Sequence, residues 1–215
     1  MAVKIPNGAV LSVASAYDSP ITVTAISNAD PGVATATAHG LADGNIVVVS
    51  SGWSRLNDKV ARVDSAATNT FALEGIDTSS TSNYPASGGA GTAKEVTAWV
   101  QITQILDSQF SGGEQQFIQY AFLEDDFERQ IPTQKSAQSL TLTLGDDQTL
   151  SWYDVLLAAD DDRVARALRL VLPSGAVIYY NAYVTLNESP SLTRNEIMAL
   201  QATFSFVSKP TRYAS

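Results

Sequence analysis

Strict alternation of apolar and polar residues limits what this chain can become more than any other feature. Leu140, Leu142 and Leu144 alternate with Ser139, Thr141 and Thr143. Ile178, Tyr180, Ala182, Val184 and Leu186 do the same, as do Met198, Leu200, Ala202, Phe204 and Phe206. A period of two belongs to a half-buried β-strand, whose successive side chains point to opposite faces. Leu168, Leu170 and Leu172 lead into Pro173-Ser174-Gly175, a hairpin turn whose return strand begins at Ala176. Residues 97–106 and 116–123 read as two further strands, joined by a connection over 107–115 that carries Gly112 and Gly113.

Residues 21–94 have a different texture, with many small and β-prone side chains. Candidate strands lie at 21–26, 33–38, 45–50, 59–64 and 70–74. Turn signals at Asp30-Pro31-Gly32, His39-Gly40, Asp43-Gly44 and residues 66–69 separate them. Such short, closely spaced strands suggest a small barrel or sandwich. Residues 77–91, rich in Ser, Thr and Gly, read as an exposed flexible loop. Asp18-Ser19-Pro20 and Gly91-Thr92-Ala93 have linker composition, so residues 21–94 read as an insertion projecting outward from a larger domain built of 1–20 and 95–215. One helix is expected, with Ser151 as N-cap and Asp154 completing a capping box. Trp152, Val155, Leu156 and Ala159 form its apolar face, and Asp160-Asp161-Asp162 end it against the macrodipole. The fold class read from these patterns is mainly all-β: a β-sandwich with one flanking α-helix, plus an inserted small β-barrel or sandwich.

Composition narrows the function. Hydrophobic residues make up 45% of the chain and charged residues 16%, enough for a real core and too apolar for disorder. No apolar run approaches the roughly 18 residues of a membrane-spanning helix, and residues 1–8 do not read as a secretory signal. With no cysteine, disulfides and thiolate metal sites are excluded, and the simplest address is the cytoplasm of the producing cell. The 13 basic residues are outnumbered by 22 acidic ones, for a net charge of −9, and form no cluster. Tight nucleic-acid binding, which needs cations to neutralise phosphates, is therefore not expected. Acidity of this kind keeps unassembled subunits soluble and apart.

Catalytic chemistry has little to stand on. His39 is the single histidine and sits in a turn, where a structural role is expected. The acids at Glu124-Asp125-Asp126 with Glu128, and at Asp160–162, read as solvated surface, because adjacent acids on a strand face opposite ways. Neither the spacing nor the turn glycine of a calcium loop accompanies Asp160–162. Gly88-Gly89-Ala90-Gly91 and Gly112-Gly113 lack the Lys-Ser/Thr or strand-to-helix setting of a phosphate loop. No catalytic, cofactor-binding or metal-ligating residue is expected, and no cofactor. Phe117, Ile118, Tyr120 and Phe122 put apolar side chains on both faces of one strand, more than a small sandwich can bury. Phe110, Gly112, Gly113, Phe117, Tyr120 and Phe122 are accordingly the candidate contacts between subunits of a self-assembling, non-enzymatic protein.

The stretch Ala167-Leu-Arg-Leu-Val-Leu-Pro-Ser-Gly-Ala176, then Tyr180-Asn-Ala-Tyr-Val-Thr-Leu186, Ser189-Pro-Ser191 and the ending Ser208-Lys-Pro-Thr-Arg212 resemble the major tail tube protein of long-tailed, siphovirus-type bacteriophages. The likeness runs over about residues 95–213, and the helix from Trp152 sits where that family has its one helix. Within the insertion, Thr35-Ala-Thr-Ala-His-Gly40, Asp43-Gly44, Leu56-Asn57 and Asn69-Thr-Phe-Ala-Leu-Glu-Gly75 resemble a small β module of phage structural proteins, with Asp58 where a glycine is usual.

This resemblance implies a virion protein, assembled in the bacterial host cytoplasm, whose hexameric rings stack into a hollow tail tube for DNA ejection. Inner strands of neighbours would join into one barrel. It implies itself as chief partner, with tape measure, tail terminator and distal tail proteins besides, no membrane, and DNA passing without tight binding. Of the acids and bases, residues 21–94 hold 6 and 4, which leaves 16 and 9 for the tube body. Glu124, Asp125, Asp126, Asp146 and Asp147 are the candidate lumen acids. A tail terminator or contractile-injection tube component of the same fold stays open. So does a glycan or cell-surface binding module, for which Trp53 and Tyr84 of the insertion would be the exposed aromatics.

Overall fold

The computed structural model describes residues 7–214. Residues 1–6 of the N-terminal piece, with most of the stretch read as no secretory signal, lie outside the described residues, as does Ser215. In chain order the first strands are β1 (Val10–Tyr17), β2 (Ile21–Val23), β3 (Ala25–Ile26), β4 (Val33–Thr35), β5 (Ile46–Ser51), β6 (Lys59–Ala67), β7 (Thr70–Leu73) and β8 (Gly91–Ile102). There follow β9 (Ile105–Ser111), β10 (Gln115–Tyr120), β11 (Arg129–Lys135), β12 (Ser139–Gly145), α1 (Ser151–Asp162), β13 (Arg166–Val171), β14 (Val177–Asn187), β15 (Ala199–Phe206) and β16 (Thr211–Tyr213).

The chain is mainly β, as the alternation requires. Hydrogen bonding runs unbroken through the order β3-β4-β7-β6-β5-β8-β1-β13-β14-β15-β12-β9. Strand β8 is the spine. Its later residues pair with β1, Leu11 opposite Ile102 and Val13 opposite Val100. Its first residues lie between β2 and β5, so Ala93 faces Ile21 on one side and Val49 on the other. Because β2 pairs with β8 while β3, one residue further on, pairs with β4, the strands of residues 21–94 close on themselves as a small barrel. Its interior is filled by Val47, Val49, Leu56, Val63, Phe71 and Leu73, among others.

The larger half packs one face of β1, β8 and β12–β15 beneath α1. The leucines of β12, with Leu168, Leu186, Leu200 and Phe204, meet Trp152, Tyr153, Leu156 and Ala159 of the helix. Full burial of each large side chain contributes about 2 kcal/mol relative to exposure. The helix face is therefore as expected at Trp152, Leu156 and Ala159, with Tyr153 buried where Val155 was expected and Val155 only partly covered.

Several local expectations need correction. Leu150, not Ser151, is the N-cap, and it makes no side-chain cap bond. The Asp147 carboxylate closes the preceding turn instead, accepting from Thr149 N–H at 3.0 Å and Thr149 Oγ1 at 2.6 Å. Helix α1 does end at Asp162, whose carboxylate accepts from Val164 N–H at 2.8 Å and pairs with Arg166. The expected strand over 97–106 is broken at Gln104, whose φ is 57°, and the expected connection 107–115 is mostly strand. Gly91-Thr92-Ala93 is strand, not linker, and a Cβ on Gly91 would stand 2.0 Å from the Ser50 carbonyl oxygen. Residues 77–91 are not a free loop: Thr78 and Tyr84 are buried, and Thr78 Oγ1 donates to the Ser27 carbonyl at 2.7 Å.

A third apolar cluster sits where the halves meet, formed by Ala14, Ile46, Val60, Val96, Ala167, Tyr179 and Tyr213. Strand β6 is paired by β7 only from Val63 onward. Before that point its outer backbone groups are met by side chains of the C-terminal segment. Ser208 Oγ and Asn181 Nδ2 donate to the Asp58 carbonyl, and Thr211 Oγ1 donates to the Val60 carbonyl at 2.7 Å. The Tyr213 hydroxyl accepts from Arg62 N–H at 2.8 Å and donates to the Glu74 carbonyl at 3.1 Å. The Arg62 guanidinium, paired with Glu74, lies over the same ring at 4.4 Å.

Tyr213→Phe removes only the hydroxyl, leaving a sheltered N–H and carbonyl without their partner, and should cost about 1–3 kcal/mol in urea unfolding. Burial pushes the Tyr213 phenol up to about 12, from an ordinary value of 10.0. A phenol raised in the folded state favours the fold fully below pH 10.0 and loses that contribution as pH climbs towards about 12. The wild-type chain should therefore lose stability more steeply than Tyr213→Phe across that window. Parallel pH profiles would show that Tyr213 is not sheltered as described.

Candidate assembly surface

Residues 105–145 form one long ribbon. Strands β9 and β12 pair from Ile105 opposite Leu144 to Ser111 opposite Ser139, where the two hydroxyls meet at 2.8 Å. Strands β10 and β11 then pair only with each other, Ile118 opposite Ile131 and Tyr120 opposite Arg129. Between the two ladders lies a tight neck. Gly112 and Gly113 have φ of 79° and 84°, and a Cβ on Gly112 would stand 1.9 Å from the Ala137 carbonyl oxygen. Only glycine tolerates both the left-handed backbone and that approach. Glu114 N–H donates to Ser136 Oγ at 3.0 Å, and Ser136 N–H returns a bond to the Glu114 carbonyl at 2.9 Å. The glycines thus set a fixed bend from which β10 and β11 stand out as an arm.

The arm carries apolar side chains with nothing of their own chain to cover them. Phe117, Ile118 and Phe122 are 52%, 60% and 56% exposed, and Leu123, Phe127 and Ile131 are exposed as well. Among the expected contact residues, Phe110 lies on β9 below the neck. Its ring centroid is 6.3 Å from those of Tyr180 and Phe206, and its outer part is exposed. Tyr120 is half-buried against Phe122, edge to face at 5.6 Å. Leu123, Phe127 and Ile131 were not singled out in the sequence. The signal was there in Phe122-Leu123 beside three acids, an apolar pair with no alternating partner face. A second exposed group, Leu192, Ile197 and Met198, lies towards the far end of β12, where Met198 accepts from Asp146 N–H at 3.0 Å.

The five expected lumen acids fall at opposite ends of the ribbon. Glu124, Asp125 and Asp126 belong to the arm tip, where Asp125 accepts from Phe122 N–H at 3.2 Å and pairs with Arg129 at 3.0 Å. Asp146 and Asp147 follow β12, a path of roughly 50 Å away at ~3.3 Å per strand residue. The hydrogen bonds of Thr149 and Gln104 hold the exposed Asp147 carboxyl below the usual carboxylate range.

His39 is buried and has a structural role. Its Nδ1 accepts from Leu41 N–H at 3.0 Å, which leaves the proton on Nε2 to donate to the Thr70 carbonyl at 3.2 Å. The ring also packs edge-on against Phe71 at 5.1 Å. Among the described residues no group of His, Asp and Glu side chains could hold a metal ion. The aromatics needed for glycan stacking are inside: Trp53 is 3% exposed and packs edge-on against buried Tyr84 at 5.2 Å, its Nε1 donating to the Pro85 carbonyl at 2.7 Å. No described helix is long and apolar enough to cross a membrane.

No curated protein matches the chain. Among solved structures, a chain from the virion of a native gene transfer agent particle is similar at 8% identity and a TM-score of 0.43, over 54% of this chain and 89% of that one. A chain of the anti-feeding prophage tube-terminating cap is similar at 20% identity and 0.35, over 50% and 79%. A chain of the sheath–tube complex of an extracellular contractile injection system in the extended state gives 17% and 0.34, over 50% and 80%. At these scores the likenesses carry no weight for function. The phage tail tube protein family (TTP) matches residues 51–215, beginning in β5 and so well before the stretch in which the resemblance was read. A match over most of the chain, on a fold with an uncovered apolar arm, makes this a virion structural protein: the chain belongs to the phage tail tube protein family.

Proposed function

We propose that copies of this chain close into hexameric rings, and that the rings stack into the tube through which DNA leaves the virion. The observation that carries this reading is the ribbon of residues 105–145. Its strand β9 ends the sheet, so its outer backbone groups have no ladder partner among the described residues. A free edge of this length invites another strand, and a closed ring of subunits leaves no edge uncovered. The arm beyond the neck exposes six large apolar side chains, each worth about 2 kcal/mol once covered. A second apolar group lies near the other end of β12. Two different surfaces on one chain suit a head-to-tail contact, which closes into a ring where its rotation closes and otherwise repeats along an axis. Assembly would take place in the host cytoplasm, with tape measure, terminator and distal tail proteins as further partners. The net negative body suits a channel that DNA traverses without sticking.

Negative-stain microscopy of the purified protein should show tubes. Replacing residues 112–138 by a two-residue Asn-Gly turn removes neck and arm while keeping β9 beside β12. The product should remain a folded monomer with a near-normal melting curve, and should form no tubes. Normal tubes from it would remove the arm from the assembly.

Residues 21–94 are proposed to be an accessory barrel on the outside of the tube wall. Its closed strand order and private core support this. Exchanging 21–94 for a short Gly/Ser linker should give tubes of smaller outer diameter and unchanged channel. The variant should also be less stable, since Ser208, Thr211 and Tyr213 lose their partners on β6. A strictly monomeric product, still folded by circular dichroism, would place the barrel in the assembly contacts instead.

A further inference from the structure

A groove of about 370 Å³ lies at the joint of the two halves, lined by Tyr17, Lys94, Arg163, Val164, Asn181 and Tyr183 among others. It brings together β8, β14 and the turn that leaves α1. Lys94 holds its ammonium over the Tyr17 ring, 4.5 Å from the centroid, and Arg163 is exposed on a left-handed backbone at φ 53°. Among the described residues neither cation has a carboxylate partner. Asp58 also lines the groove, with its carboxylate accepting from Asn57 Nδ2 at 2.7 Å. Val164 and Tyr183 leave about half their surface uncovered. Asn181 is buried, and its Nδ2 donates to the Asp58 carbonyl at 3.0 Å. A carbonyl can only accept, so the amide's orientation is fixed and its Oδ1 is left with no partner. A buried acceptor in that condition costs stability until a donor reaches it.

We propose that this groove receives the arm tip of a second copy of the chain, residues 122–128. The inference rests on the self-assembly reading. The tip has the complementary chemistry. Glu124, Asp126 and Glu128 have no cationic partner among the described residues, whereas Asp125 is taken by Arg129. Phe122 and Leu123 are exposed on the same turn, matching the open flanks of Val164 and Tyr183. Because Leu123 is fully exposed, the tip is not docked on its own chain. Its occupancy of a neighbour's groove takes Glu124 and Asp126 out of the channel lining and makes them contacts between subunits.

The test is a charge exchange in the full-length chain, read by light scattering and microscopy. The double variants Lys94→Glu/Arg163→Glu and Glu124→Lys/Asp126→Lys should each slow tube growth at least tenfold while melting as the wild type does. The quadruple variant, with both charges reversed, should recover most of the wild-type rate. Should a reversed variant fold poorly, the neutral Lys94→Gln/Arg163→Gln should still slow growth and flatten its dependence on salt. Wild-type growth from the groove variants would overturn the proposal and leave the groove to another virion protein. A quadruple variant no better than the doubles would overturn it as well. Absence of tubes from the wild type would instead sink the assembly reading itself, and this inference with it.

Discussion

The outer edge of β6 between Asp58 and Arg62 is the constraint on which the rest of the structure turns. A backbone carbonyl or N–H sheltered from water has to find a partner, and β7 begins its pairing only at Val63. Three groups are therefore left over, and none is met by another strand. The hydroxyls of Ser208, Thr211 and Tyr213 meet them instead, reaching alternate positions 58, 60 and 62 from a segment far along the chain. Side-chain hydroxyls bonding to backbone hold a register as a ladder would, and they also hold the last strand against the small barrel. The Arg62–Glu74 pair and the arginine over the Tyr213 ring add direction at the same point. Strand β8 crosses the same joint by covalent continuity. The halves are thus held together by the continuous strand, by the hydroxyls and by the apolar cluster between them.

A body joined in this way changes what the arm can mean. Had the neck been loose, exposed phenylalanines at the end of a ribbon would collapse onto the nearest apolar surface. In this structure the Gly112–Gly113 bend, packed close against Ala137, carries the arm away from that surface. The apolar side chains are consequently held away from their own core. Contiguous exposed apolar surface marks an interaction site.

Most of the larger half was legible because its strands alternate. Leu140, Leu142 and Leu144 read correctly since one face is buried and the other wet, the condition under which period two is visible. Strand β9 was missed for the complementary reason. Its residues are exposed throughout, so no burial pattern marks them, and its extended form comes from pairing with β12. The N-cap slipped by one residue because Asp147 closes the turn from outside the capping box. Gly91 looked like a linker, yet it is glycine because β5 passes too close for a side chain. Trp53 and Tyr84 looked available for ligand stacking because both lie between strands, in polar turn segments. The same glycines that suggested mobility, Gly88 and Gly89, let that loop lie flat against the indole.

Gly88, Gly89 and Gly91 mislead for one physical reason. Glycine in a sequence signals either freedom or close approach, and composition does not distinguish them. In this chain the informative glycines are close approaches: Gly91 against Ser50, Gly88 and Gly89 against Trp53, Gly112 against Ala137. Each brings two segments nearer than any side chain would allow. The hydroxyl clamp on β6 joins the barrel to the C-terminal segment, while the bend at Gly112 alone carries the arm that presents the apolar tip.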